Sequence, residues 1–91
     1  MPNGRGIDIE YGTKFLRNLK KLPIKLQRLA GDRETIFKHS PFDPKLKTHK
    51  LHGKDAGSWA YSVDNRYRIK FIFIASLSVL YLDIGTHDIY K

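Results

Sequence analysis

No cysteine occurs in the 91 residues, which excludes disulfides, thiol catalysis and thiolate-bound metal. Acidic residues are scarce. There are 9 Asp and Glu against 17 Lys and Arg, a net charge of +8. Such an imbalance points to a polyanionic partner, whether nucleic acid, an acidic protein or an anionic membrane surface, and charge alone does not choose among them. Long apolar runs are also missing. The longest, Ile72 to Ile74 with its neighbours, is far too short to span a bilayer. Met1 to Gly6 contains no apolar stretch of the kind a secretory signal needs, so a cytoplasmic location is the expectation. No glycine-rich phosphate loop is present, because Gly4-Arg5-Gly6 is too short and precedes a strand. No Ser-His-Asp arrangement can be argued from spacing, and Asp55, Asp64, Asp83 and Asp88 are scattered among cations rather than paired.

What is abundant lies between Trp59 and Tyr90. β-branched and aromatic residues dominate this stretch, and small polar residues cut it twice. The pattern predicts a three-stranded antiparallel meander. In the middle strand Tyr67, Ile69, Phe71 and Phe73 fall on one face and Arg68, Lys70, Ile72 and Ile74 on the other. The first set is continuously apolar and suits a core. The second begins with two cations.

Upstream, Met1 to Gly6 reads as a frayed end. Ile7 to Tyr11 alternates as a short strand, and Gly12-Thr13 marks a turn with Thr13 as an N-cap. Phe15, Leu16, Leu19 and Leu22 then form a helical stripe. Pro23 closes that helix and serves as the first residue of a second, which carries Leu26, Leu29, Ile36 and Phe37 inward. Gly31 predicts a kink or break in the second helix. Lys14, Arg17, Lys20, Lys21, Lys25 and Arg28 make this hairpin basic, with no acid between Thr13 and Ala30. The two prolines of Ser40 to Pro44 force a loop, and Lys45 to Lys54 alternates weakly enough to suggest an irregular edge strand. The order β-α-α-β-β-β describes one α+β domain over residues 1–91, with two N-terminal helices packed on a twisted, mostly antiparallel sheet.

His49 and His52 share a face only on a helix, their segment is a poor helix, and the flanking lysines repel a cation. They read as part of an exposed basic loop, or as groups of near-neutral pKa in a phosphate-rich site, and no metal or cofactor is expected. Trp59 and Tyr61 share a face and are assigned to the core. Arg66 and Arg68 flank Tyr67 and form either a surface pair or a fork-shaped phosphate clamp. His87 lies just past the last strand, and the reversal of chain direction brings it toward the start of the middle strand, near those arginines.

Several segments together resemble a known family. PFDPKLKTHKLHG at 41–53, WAYSV at 59–63, DNRYRIKF at 64–71 and LDIGTHDIY at 82–90, after the FLRNLKKLP helix start at Phe15, are similar to the RelE/ParE superfamily of toxins from bacterial type II toxin–antitoxin (plasmid-stabilisation) modules. The resemblance implies the two-helix and sheet fold already read from the residues. It also implies one of two activities. RelE- and YafQ-like members cleave mRNA on the ribosome, whereas ParE-like members bind and poison DNA gyrase without catalysis. The first is the expectation here, with the second as its alternative.

The resemblance further implies roles. Arg68 matches the strand arginine at the scissile phosphate, and Gly85 to His87 is similar to the segment carrying a catalytic histidine in YafQ-like toxins. His49 falls near a second histidine of that branch, and Tyr90 near a functional tyrosine. Arg66 departs from the YafQ-like pattern, which tends to be acidic there, and the basic cluster of RelE after Gly85 is incomplete. Metal-independent cleavage needs a proton exchanged at the 2′-hydroxyl and the 5′-oxygen, a task for His87 and secondarily His49. It also needs positive charge at the phosphate, supplied by Arg68 with Arg66. Lys47, Lys50, Lys54 and Lys70 would hold the RNA backbone without sequence preference. An acidic cognate antitoxin, wrapping the basic helices and sheet and folding as it binds, is the expected protein partner.

Overall fold

The structure, a computed structural model, describes residues 6–86 and 89. Strand β1 (Asp8–Tyr11) leads into helices α1 (Thr13–Lys20) and α2 (Ile24–His39). Strands β2 (His49–Lys50), β3 (Trp59–Ser62), β4 (Arg68–Ala75) and β5 (Ser78–Gly85) follow. The sheet order is β1-β5-β4-β3-β2. The meander of β3, β4 and β5 is antiparallel, as the alternation predicts, and the weakly alternating basic segment supplies only a two-residue edge strand. Beyond the sequence reading, β1 returns to the far edge and pairs with β5 in parallel, Asp8 opposite Ser78 through Tyr11 opposite Tyr81.

Three local expectations are corrected. Gly12, not Thr13, caps α1, and no side chain takes part. The chain there is still bonded to the sheet, with the Gly12 N–H donating to the Tyr81 carbonyl at 2.9 Å. A Cβ on Gly12 would stand 2.6 Å from that oxygen, so the close approach requires glycine. Pro23 is the N-cap of α2 rather than its first residue, and its carbonyl accepts from Leu26 and Gln27. Nor does α2 break at Gly31, since the helix runs 16 residues without interruption. A Cβ at Gly31 would meet nothing within 4 Å. The helix therefore carries the entropic cost of glycine for no packing reason within the fold. Gly31→Ala is expected to raise the unfolding free energy by about 1 kcal/mol in urea titrations, and a loss of stability would reveal a constraint on that helix turn.

The core is aromatic. Phe37 of α2 is wholly buried and stacks on Tyr61 at 4.6 Å between ring centroids, with Phe71 at 5.0 Å and Tyr81 at 6.1 Å edge-on. These partners come from three strands of the meander. Trp59 is half-buried at the margin, against Phe42 and Phe73. Ile69 and Phe71 are buried as the period-2 reading requires, while Tyr67 precedes β4 and closes the turn back to Val63.

Two buried phenols, Tyr61 and Tyr81, share a hydrogen bond of 2.8 Å, and burial holds both well above the usual tyrosine range. Tyr11, which donates to Glu34 at 2.9 Å, is pushed up to about 12 by burial and by that carboxylate. In the unfolded chain these groups ionise near pH 10, at about the ordinary tyrosine value. Their folded values are raised, so the stabilisation is complete below about pH 10 and is lost as the pH rises beyond it. The urea midpoint should fall as the pH passes about 10, and less so in the Tyr61→Phe/Tyr81→Phe double variant. Parallel profiles for the two proteins would remove the phenols as the cause.

Candidate nucleic-acid interface

The face of the sheet away from α2 is built from cross-strand rows. His49, Ala60 and Lys70 stand in register across β2, β3 and β4, and the row ends there, because the register shift after Lys70 turns its β5 neighbour Asp83 toward α1. In the next row Ser62, Arg68 and Gly85 are aligned. Alternation puts Arg68 and Lys70 on this face because Ile69 and Phe71 are taken by the core. Of the small residues around Arg68, Ala60 is fully buried, Gly85 is covered by Ile89 and Ser62 is half-buried.

The basic loop is anchored beside it. A short 3₁₀ turn, Pro44–Leu46, is capped by the Asp43 carboxylate, which accepts from the Lys45 N–H at 2.9 Å. Leu46 is completely buried, so its exposed neighbours Lys45 and Lys47 are held at the flanks. Lys47 takes a left-handed conformation (φ 52°) that swings the chain into β2. There His49 is exposed, with Nδ1 2.9 Å from the Lys47 carbonyl. A carbonyl can only accept, so Nδ1 is the donor.

The other sequence-selected residues divide. Lys70 is drawn into a 2.7 Å ion pair with Asp55, both largely buried, so its charge is offset within the protein. Lys50 sits with Nζ 5.7 Å from the Trp59 ring centroid, and Lys54 is exposed in the Gly53–Asp55 turn. Arg66 and Arg68 do not form one fork. The Asp64 carboxylate accepts from the Arg66 and Tyr67 backbone N–H groups and folds the turn. Arg66 then lines a groove with Pro23, Ile24 and Leu29, while Arg68 lines a separate cleft with Lys45 and Lys47. His87 and Tyr90 lie outside the described residues. Near them, the Ile89 N–H donates to the Thr86 carbonyl at 3.0 Å, and the Ile89 side chain covers Gly85, the cross-strand neighbour of Arg68. Asp83, singled out as a scattered carboxylate, is buried against α1, where it accepts from Asn18 at 2.7 Å and lies 3.4 Å from Lys14.

Sequence reasoning missed Arg33. It projects from α2, and its Nε donates to the Val63 carbonyl at 3.1 Å, which brings the guanidinium to the end of β3. Only that contact, 30 residues away in sequence, sets it apart from the other cations of the helices. Among the described residues no group of three His, Asp or Glu is placed to hold a metal, and no helix is long and apolar enough to cross a membrane.

No family model and no curated protein matches the sequence. Solved structures do match the fold. The YoeB/ParE toxin from Agrobacterium tumefaciens superposes with a TM-score of 0.74 at 15% identity, covering 89% of this chain and 99% of that one. The chain has the fold of the RelE/ParE toxins. A chain of the DinJ–YafQ toxin–antitoxin complex from E. coli gives 0.71 at 17% identity, with 91% and 94% covered. One from the RelBE2 toxin–antitoxin complex of Mycobacterium tuberculosis gives 0.68 at 18% identity, with 89% and 98% covered. At such identities the shared property is the backbone, and the chemistry has to be argued from the side chains of this chain.

Proposed function

We propose that this protein is the toxin of a type II toxin–antitoxin module and that it cleaves mRNA on the ribosome. The observation that carries the reading is the sheet face on which Arg68 stands among Ser62, Ala60 and Gly85, with His49 and Lys47 at its margin. Arg68 and its cross-strand neighbour Ser62 are both half-exposed, so a nucleotide backbone can approach the guanidinium from the Ser62 side. Arg68 would stabilise the charge that develops on the phosphate as the neighbouring 2′-hydroxyl attacks it, since donors fixed in advance act most strongly on the transition state. His49, with Nδ1 donating to Lys47, is oriented to exchange a proton through Nε2. His87 follows the strand end that pairs with Arg68 and is assigned the principal acid/base role. Such a protein acts in the cytoplasm and is held inactive by an acidic antitoxin that meets its +8 charge.

Primer extension on a message translated in a purified system tests this. Discrete cuts that require ribosomes, and that vanish with His87→Ala, are the expected result. Intact message and normal translation would overturn it and leave the gyrase-directed alternative, read by a DNA supercoiling assay.

A further inference from the structure

Beside the sheet face lies a second cleft, of about 160 Å³, at the open end of β3. Arg33, Lys45, Lys47 and Arg68 line it, together with Asn65 and Asp64. Its cations reach it from three places far apart in the chain, namely α2, the 3₁₀ turn with its exit, and the start of β4. Among the described residues none of the four has an ion-pair partner. Asp64, the one carboxylate in the lining, is already engaged by two backbone N–H groups of its own turn. Arg33 is half-buried and tethered through Nε to Val63, which leaves its terminal amino groups to face the cleft with little freedom left to lose. Four cations converge on a cleft that holds one carboxylate, so positive charge remains in excess there and a bound anion relieves the repulsion. A planar, preorganised guanidinium flanked by lysines suits phosphate oxygens.

We infer that this cleft is a phosphate subsite, in which Arg33 and Lys45 hold an RNA backbone phosphate next to the one that reacts at Arg68. The inference rests on the reading of the sheet face as the RNA-cleaving surface. Arg68 belongs to both places, and Lys47 leads from the cleft into β2 and His49, so a single strand lying across Ser62 runs into the cleft without a break. Arg33 and Lys45 are thus positioning residues. They fix the register of the message over Arg68 and take no part in proton transfer.

The test uses the full chain and a labelled all-deoxy hexanucleotide, which has phosphates but no 2′-hydroxyl and so binds without being cut. Fluorescence anisotropy is followed across a salt series for wild type, Arg33→Met and Lys45→Met. Each substitution should weaken binding several-fold and reduce the slope of log affinity against log salt by about 0.7, the amount for one phosphate contact on a single strand. Arg33→Lys should recover part of the affinity. Lys45→Met serves where Arg33→Met loosens the Val63 turn, because Lys45 is exposed and makes no contact there. In message cleavage the same variants should raise KM more than they lower kcat. Unchanged affinity and slope in both variants would overturn the subsite. So would a loss confined to binding of the acidic partner protein, which would make the cleft a carboxylate site. A wild type that cuts no message, yet whose hexanucleotide affinity depends on Arg33, would overturn the nuclease reading alone and leave the phosphate site standing.

Discussion

Arg68→Ala should slow ribosome-dependent message cleavage by about 10²- to 10³-fold, the usual cost of removing one preorganised donor from a developing oxyanion. The loss should appear in kcat, measured in single turnover on programmed ribosomes, because the guanidinium is asked to act on the transition state rather than on bound message. Arg68 is only half-buried on the sheet, and among the described residues its side chain makes one hydrogen bond, to the Arg66 carbonyl, which is long at 3.4 Å. Thermal stability should therefore change little. Arg68→Lys should recover only part of the rate, since an ammonium keeps the charge but not the planar fork. A rate within about threefold of wild type in the alanine variant would move the reacting phosphate away from this residue.

Phe37→Ala should lower the unfolding free energy by about 3–5 kcal/mol, read from the urea midpoint and slope. The ring is fully buried and contacts aromatic rings from β3, β4 and β5 together, so its removal opens a cavity under the whole meander. Against a typical stability of about 5–15 kcal/mol, a loss of this size threatens the fold at physiological temperature. A change below about 1 kcal/mol would mean that the rings collapse into the space, and that the aromatic cluster is less rigid than its stacking geometry indicates.

Alternation in β4 and the helical spacing of Phe15 and Leu19 in α1 are local patterns, and both were legible, whereas Leu16 of the same stripe stays exposed and Leu22 lies beyond the end of α1. They depend on residues a few positions apart, whose spacing matches the period of the element that they form. This is why the core face of Ile69 and Phe71, and the cationic start of the opposite face at Arg68, followed from the chain alone. The break expected at Gly31 failed for a related reason. Glycine only biases a helix locally, and the burial of Ala30 and Phe37 on either side of it holds α2 continuous. Likewise Lys70 read as a binding cation until the fold brought Asp55 to within 2.7 Å of it.

By itself the sequence determined the class of this protein: a cysteine-free, cationic α+β domain whose last three strands form a meander with one apolar and one partly basic face. The tertiary structure decided which cations stand together. Parallel pairing of β1 with β5 joins residues about as far apart as Asp8 and Ser78, and the Arg33–Val63 contact spans 30 residues. Such contacts arise only when the core closes, because loop closure brings together groups that no local periodicity relates. Core closure separates Arg66 from Arg68 across the Asp64 turn and brings Arg33 and Lys45 to Arg68 in their place.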